Sequence, residues 1–195
     1  MSVAVVDSGG ANISSVMHAL GRLGVEARFT ADPGVIRDAS HVILPGVGAA
    51  GAAMRRLREH ALAELVPALR QPVLGVCLGM QLLFRRSDEG DTDCLGIIPA
   101  DLARLRGDDG LRVPHMGWNS VAAKPDPLFD GLDGAWFYFV HSYAAPVGDW
   151  TIGQCTHGEA FSAAVRHGNF AGVQFHPERS AAAGQRVLRQ FLEAA

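Results

Sequence analysis

The stretch 73-VLGVCLGMQLLF-84 changes character at its fifth residue. Val73 to Val76 is a short branched apolar run that predicts a buried strand, and Leu78 to Phe84 predicts a helix. Cys77 stands at the junction, with Gly75 and Gly79 two positions to either side. A strand running straight into a helix through such a residue has the layout of a nucleophile elbow, a sharp turn that lifts one side chain clear of the sheet. A thiol there would also meet the positive end of the helix dipole, which favours thiolate. Cysteine is equally among the most buried residue types, so the pentapeptide leaves two readings open: a packing thiol or a nucleophile.

The surrounding chain places this junction in a sheet. Val3 to Asp7 reads as a buried strand followed by the loop DSGGAN. Ile13, Val16, Met17, Leu20 and Leu23 then share a helical face, with Asn12 placed as a possible N-cap. Ala27 to Thr30 is a weaker strand, and HVILPGVG (41–48) is a strong one ending in a Pro-Gly turn. Residues 51 to 70 read as helix with a break near His60. Strands alternating with helices predict parallel βαβ units, hence an α/β fold: a doubly wound, mostly parallel sheet flanked by helices. From about Asp101 to Phe175 the runs are strand-like and separated by Gly, Pro and Asp, predicting antiparallel strands added to the same sheet. Val187, Leu188, Phe191 and Leu192 mark a closing amphipathic helix. No repeat or linker intervenes, so residues 1–195 read as one domain.

Composition excludes several classes of function. Of 195 residues, 48% are apolar and 19% charged, the balance of a soluble globular chain. A net charge of -3 without a basic run gives no reason to expect nucleic acid or an anionic membrane as partner. The N-terminus MSVAVVDSGG lacks the pattern of a signal peptide, and no apolar run approaches the ~20 residues of a membrane span. Three widely spaced cysteines without a CxxC argue against a disulfide framework or a zinc site, and for a reducing cytoplasm. Cys94 and Cys155 read as packing thiols, and no metal or cofactor is expected.

In open α/β sheets ligands bind beyond the carboxyl ends of the strands. That rule singles out Asp7 to Gly10, Pro45 to Gly48, Cys77, and the cluster His176-Pro177-Glu178 after the apolar run NFAGVQF. A cysteine nucleophile needs a base, and the base an orienting group. Pro177 disfavours helical backbone at His176, and in extended geometry Glu178 would return alongside the imidazole. The bland alternative is a surface His and Glu at a strand end. His18, His60, His157 and His167 lie in polar surroundings and read as solvated. The glycines of Leu44-Pro45-Gly46-Val47-Gly48 leave backbone N–H groups able to face a ligand, and with the N–H of Leu78 they would form an oxyanion hole. An ordinary turn is the competing reading there.

Taken together, G-V-C-L-G-M-Q, L-P-G-V-G and Q-F-H-P-E resemble the triad-type (class I) glutamine amidotransferases. Within them, P-H-M-G-W-N (114–119), Y-F-V-H-S-Y (138–143) and H-P-E-R-S (176–180) look like the glutaminase subunits of imidazole glycerol phosphate synthases. D-S-G-G-A-N-I and L-G-I-I-P also fit, so the resemblance spans essentially the whole chain; only the alanine-rich stretch after Ser180 departs from it. The resemblance implies that Cys77 attacks the glutamine carboxamide, His176 shuttles the proton and Glu178 orients His176. It implies an oxyanion hole from Val47, Gly48 and Leu78, and a substrate site of Gln81, His141, Ser142 and Tyr143. It implies as partner a separate (β/α)8-barrel cyclase subunit, forming a heterodimer that receives the ammonia, with Asn12, Met116, Trp118 and Tyr138 as docking candidates. It also suggests that the Pro45 to Gly48 loop completes the hole only when the partner is loaded. Two rivals stand beside this reading. One is a glutaminase serving another synthase, of anthranilate or GMP type, against which the motifs at 114–119 and 138–143 speak. The other is a non-catalytic docking module, against which Cys77, His176 and Glu178 speak.

Overall fold

The computed structural model describes residues 1–10, 13–107 and 110–194. Asn12, named above as a cap and a docking candidate, lies outside the described residues. In chain order the first half comprises β1 (Val3–Val6), α1 (Ile13–Arg22), β2 (Ala27–Thr30), α2 (Pro33–Asp38), β3 (His41–Leu44), α3 (Ala50–Glu59), α4 (Leu62–Leu65), β4 (Val73–Val76), α5 (Leu78–Gln81), β5 (Phe84–Ser87) and β6 (Thr92–Asp93). The second half comprises β7 (Ile98–Arg104), β8 (His115–Ser120), β9 (Ala122–Ala123), β10 (Trp136–His141), β11 (Tyr143–Ala144), β12 (Thr151–His157), β13 (Glu159–His167), β14 (Phe170–Val173) and α6 (Ala181–Leu192).

Eight strands form the main sheet in the order β2-β1-β3-β4-β14-β13-β12-β9. The first five are parallel and the last three are attached antiparallel. Successive residues of a strand point to opposite faces, so a strand buried on both sides must be apolar throughout. That is why β1 and β4 are unbroken apolar runs and β3 is apolar from Val42 onward. Val3, Val5, Ile43, Leu74 and Val76 pack with α1 and α6, while Ala4, Val6, Val42, Leu44 and Val73 pack with α2, α3, α4 and α5. Among the described residues no helix is long and apolar enough to cross a membrane.

Two expectations change. The helix after Cys77 is a single turn, and Phe84 begins a strand paired with Ile98. An apolar run of this length does not distinguish buried helix from buried strand; the partner at Ile98 decides it. The strands of the second half also do not all extend the main sheet. β8 and β10 form a separate antiparallel ribbon, and β11-β7-β5-β6 a small mixed sheet. Pairing of this kind is set by partners distant in sequence, which alternation does not reveal.

What matters for the site is that β3, β4 and β14 are adjacent. The segments that leave their carboxyl ends are Pro45 to Gly48, Cys77 and His176 to Glu178. The fold therefore brings the three motifs to one edge.

Candidate active site

Cys77 occupies the turn between β4 and α5 with φ 53° and ψ -110°, a positive-φ backbone rarely adopted by a residue with a side chain. The turn is tolerated because the neighbouring positions lack side chains. A Cβ on Gly79 would strike the Leu44 carbonyl, and one on Gly75 would lie 2.7 Å from the Gly79 carbonyl. Two backbone bonds fix the turn: Cys77 N–H donates to Val173 at 2.8 Å, and Gln81 N–H to the Cys77 carbonyl at 3.1 Å.

His176 follows β14, and its N–H donates to the Tyr138 carbonyl at 2.9 Å. The Ser180 hydroxyl donates to the His176 carbonyl at 2.7 Å and accepts from Tyr138 N–H at 2.9 Å, clamping this corner to β10. Glu178 lies 2.9 Å through Oε1 from His176 Nδ1. His176 itself is extended, as expected before Pro177 (φ -98°, ψ 97°), and the 3-10 turn Pro177–Arg179 then brings Glu178 back alongside it. The Glu178 side chain is 2% exposed. Burial opposes a charge on His176, but hydrogen bonds to Cys77 and Glu178, with their negative charge, outweigh it and raise its pKa to about 10. A protonated imidazole beside a buried carboxylate and a sulfur has the polarity of a thiolate–imidazolium pair.

Cys77 and His176 line one cavity of about 320 Å³ with Val47, Gly48, Leu78, Gln81, His141, Ser142 and Tyr143. Glu178 sits behind His176, beside Pro45, Gly46 and Val47. The structure thus brings together the triad candidates, the oxyanion candidates and the substrate-site candidates. His141 offers a ligand only its backbone, because its ring is engaged with the Tyr143 carbonyl (2.8 Å) and with His115 (3.0 Å). His157 is not a solvated residue: its ring stacks on His115 with centroids 4.1 Å apart.

The oxyanion candidates are in a closed arrangement. Leu78 N–H donates to the Gly46 carbonyl at 3.3 Å, so an oxygen of the protein's own backbone holds that donor. In a trans peptide C=O and N–H point in opposite directions, and Val47 N–H therefore faces away from Leu78.

Glu89 was not singled out by its sequence context, R-R-S-D-E-G-D, which looks like a solvated charge run. It lines the cavity, and its Oε2 accepts from Ala50 N–H at 2.8 Å at the start of α3. Met116 and Trp118 are exposed on β8, and Trp118 meets the Tyr138 ring of β10 with centroids 6.1 Å apart. Register pairs Trp136 with Ser120 and Tyr138 with Trp118, so exposed Trp136 belongs to the same aromatic face. Sequence reading missed it; the alternation of W-F-Y-F-V-H in β10 was the available signal.

Comparison with known proteins gives a consistent picture. The family model for glutamine amidotransferase class-I matches residues 4–195. The chain is 55% identical to imidazole glycerol phosphate synthase subunit HisH of Escherichia coli K12, over 99% of this chain and 100% of that one. It is 53% identical to the HisH subunit of Xanthomonas euvesicatoria pv. vesicatoria, over 98% and 96% of the two chains. Among solved structures, a glutamine amidotransferase superposes with a TM-score of 0.76 at 22% identity, over 98% and 97% of the chains. A chain of PurLQS from Thermotoga maritima superposes with 0.72 at 19% identity, over 98% and 97%. These two show the shared fold.

Proposed function

The chain belongs to the class-I glutamine amidotransferase family, and we propose that it hydrolyses glutamine through Cys77, His176 and Glu178 as the ammonia-supplying subunit of an imidazole glycerol phosphate synthase. The observation that carries the site assignment is the strained Cys77 turn, facing a His176 that is charged by its bonds to Cys77 and Glu178.

The Cys77 thiolate adds to the carboxamide carbon of glutamine, and the carbonyl π electrons move to oxygen. Leu78 N–H and backbone N–H groups of Val47 and Gly48 stabilise that oxygen. His176 gives its proton to the leaving nitrogen, ammonia departs, and a glutamyl thioester remains. His176 then takes a proton from water as the water attacks; the C–S bond breaks, its electron pair returns to sulfur, and glutamate leaves. Glu178 holds the imidazole in position and offsets its charge throughout. Gln81, Ser142 and the backbone at His141 and Tyr143 hold the amino-acid end, and the Glu89 carboxylate faces the substrate ammonium.

Ammonia passes to a (β/α)8-barrel cyclase subunit, which makes imidazole glycerol phosphate and AICAR in histidine biosynthesis. The two form a cytoplasmic heterodimer, and residues 1–195 act as one domain. Docking uses the aromatic face of Met116, Trp118 and Tyr138, extended by Trp136. The HisH relatives and their full-length coverage support this choice over an anthranilate- or GMP-type partner. The Gly46–Leu78 bond supports a resting state of low activity, released when the partner turns the 46–47 peptide.

The test is reconstitution with the cyclase. Cys77→Ala abolishes glutamine-dependent synthesis and leaves synthesis from ammonium intact. Loss of both activities in a complex that still assembles would sink the division of labour. Full glutaminase turnover by the isolated chain would sink the resting-state account.

A further inference from the structure

A chain of hydrogen bonds reaches the Cys77 sulfur from the ribbon β8–β10. Its direction follows from the groups themselves. The Tyr143 carbonyl only accepts, so His141 Nδ1 carries a proton and donates to it at 2.8 Å. Burial holds His141 neutral, with a pKa near 3, leaving Nε2 as an acceptor. His115 Nδ1, 3.0 Å away, must then be the donor. His115, likewise held neutral by burial, is left with a bare Nε2, which accepts from Asn119 Nδ2 at 3.3 Å. The other Asn119 proton goes to the Thr156 carbonyl at 3.0 Å.

The same Tyr143 carbonyl accepts from Gln81 Nε2 at 3.0 Å, and Gln81 Nε2 also donates to Gln174 Oε1 at 3.0 Å. Turning the Gln81 amide over would set its oxygen against two acceptors. Gln174 is therefore fixed with its oxygen toward Gln81 and its Nε2 toward Cys77 Sγ, 3.7 Å away. Its side chain is wholly buried, although a residue in the apolar run before His176 has no need of an amide for packing.

We propose that Gln174 is a further catalytic residue, donating an amide N–H to the Cys77 sulfur, and that Gln81, itself oriented by the Tyr143 carbonyl, is the positioning residue that fixes the direction of that donor. The inference rests on Cys77 being the nucleophile. A donor at sulfur favours thiolate over thiol in the resting enzyme. It acts again when the thioester hydrolyses, as the C–S electron pair returns to sulfur. An amide is suited to both moments because it carries no charge to disturb His176.

The experiment is the rate of Cys77 alkylation by iodoacetamide against pH, followed by peptide mass spectrometry in the full chain. Cys94 and Cys155, pushed up to about 11 by burial, are counted separately. Gln174→Met, matched in size but without a donor, is expected to slow alkylation about fivefold at pH 7.0, the worth of one hydrogen bond, with the gap closing as pH rises. Gln81→Met, which frees the Gln174 amide to turn over, is expected to slow it about twofold in the same pattern. A Gln174→Met rate within 1.5-fold of the parent (about equal on the scale of one hydrogen bond) overturns the donor. An unaffected Gln81→Met overturns the positioning role of Gln81. A measurement on the unsubstituted chain guards against a variant that fails to fold: the Gln174 side-chain amide proton should move downfield with the alkylation midpoint, and a resonance that ignores it overturns the proposal. Because alkylation needs no glutamine, absence of glutaminase activity with these shifts intact would instead remove the functional reading above.

Discussion

Lowering the pH from 7.5 to 5.0 should destabilise the fold through its buried neutral histidine pair, and the size of the effect can be worked out. Burial, with His157 beside it, holds His115 at about 4. Burial holds His141 at about 3 against the help of the Tyr143 carbonyl, and His115, His157 and His176 around it add repulsion. Both lie below the ordinary histidine value, so the unfolded chain takes up protons that the folded one refuses. Stability from these groups is complete above about pH 7 and is lost as pH falls toward the folded values. At pH 5.0 each contributes a loss of about 2 kcal/mol, from 1.36 kcal/mol per unit over about 1.5 units, hence about 4 together. His176 works the other way. Its raised value gives stability that grows until pH falls to the unfolded value, adding back about 1 kcal/mol between pH 7.5 and 6.5. The net loss of roughly 3 kcal/mol is a large part of a typical folding free energy. Urea unfolding followed by tryptophan fluorescence at the two pH values measures it. His115→Gln keeps an amide donor toward His141 and cannot titrate, so its loss should be smaller by about 2 kcal/mol. Equal losses in parent and variant, within about 0.5 kcal/mol, would refute the assignment of a neutral buried His115.

Three further outcomes are expected. Gly79→Ala sets a Cβ against the Leu44 carbonyl and should lower stability by about 3 kcal/mol or more in urea, whereas Gly21→Ala on α1 meets nothing within 4 Å and should raise it by about 0.5–1 kcal/mol. Glu178→Gln keeps the shape beside His176 but removes the charge, and kcat of the reconstituted complex should fall at least about a hundredfold with KM changed little. Trp118→Ala, at an exposed position, should leave the isolated chain within about 0.5 kcal/mol of its stability yet weaken the cyclase complex about tenfold by titration calorimetry.

The parallel half of the fold was legible because a strand buried on both faces has no choice of composition. β1 and β4 are apolar at every position and β3 is so after His41, and Asp7, the 45–48 Pro-Gly turn and Cys77 that follow them mark the site edge in the bare sequence. Phe84 was misread because burial alone does not separate helix from strand. Only its pairing with Ile98, which lies across β6 in the chain, settles the matter. Gln174 and His115 were legible as letters but not as a network. Each sits within an apolar or aromatic run, and what gives them meaning is the Tyr143 carbonyl, supplied by a strand distant in sequence from both. Glu89 was hidden for the opposite reason, since a carboxylate among charged neighbours looks solvated until the start of α3 is seen to lie over it.

The Gly46–Leu78 bond bears on how strong a partner's influence has to be. It is a single backbone bond at 3.3 Å, at the long end of the normal range, so giving it up costs only about 0.5–1.5 kcal/mol. The rest of the bias toward the closed arrangement has to come from the path of Pro45 to Gly48. Gly46 leaves little slack there, since a Cβ on it would lie 2.8 Å from Leu78 Cβ. If the open peptide is present at about one part in a hundred, a partner that prefers it by about 2.7 kcal/mol brings it to half. That is the order of one well-packed aromatic anchor, and the β8–β10 ribbon exposes two tryptophans. Its other face carries His115 and Asn119, whose bonds run through His141 to the Tyr143 carbonyl that also orients Gln81. One small ribbon thus touches both the docking face and the polar chain, and on the proposed reading neither needs a large structural change to raise the rate.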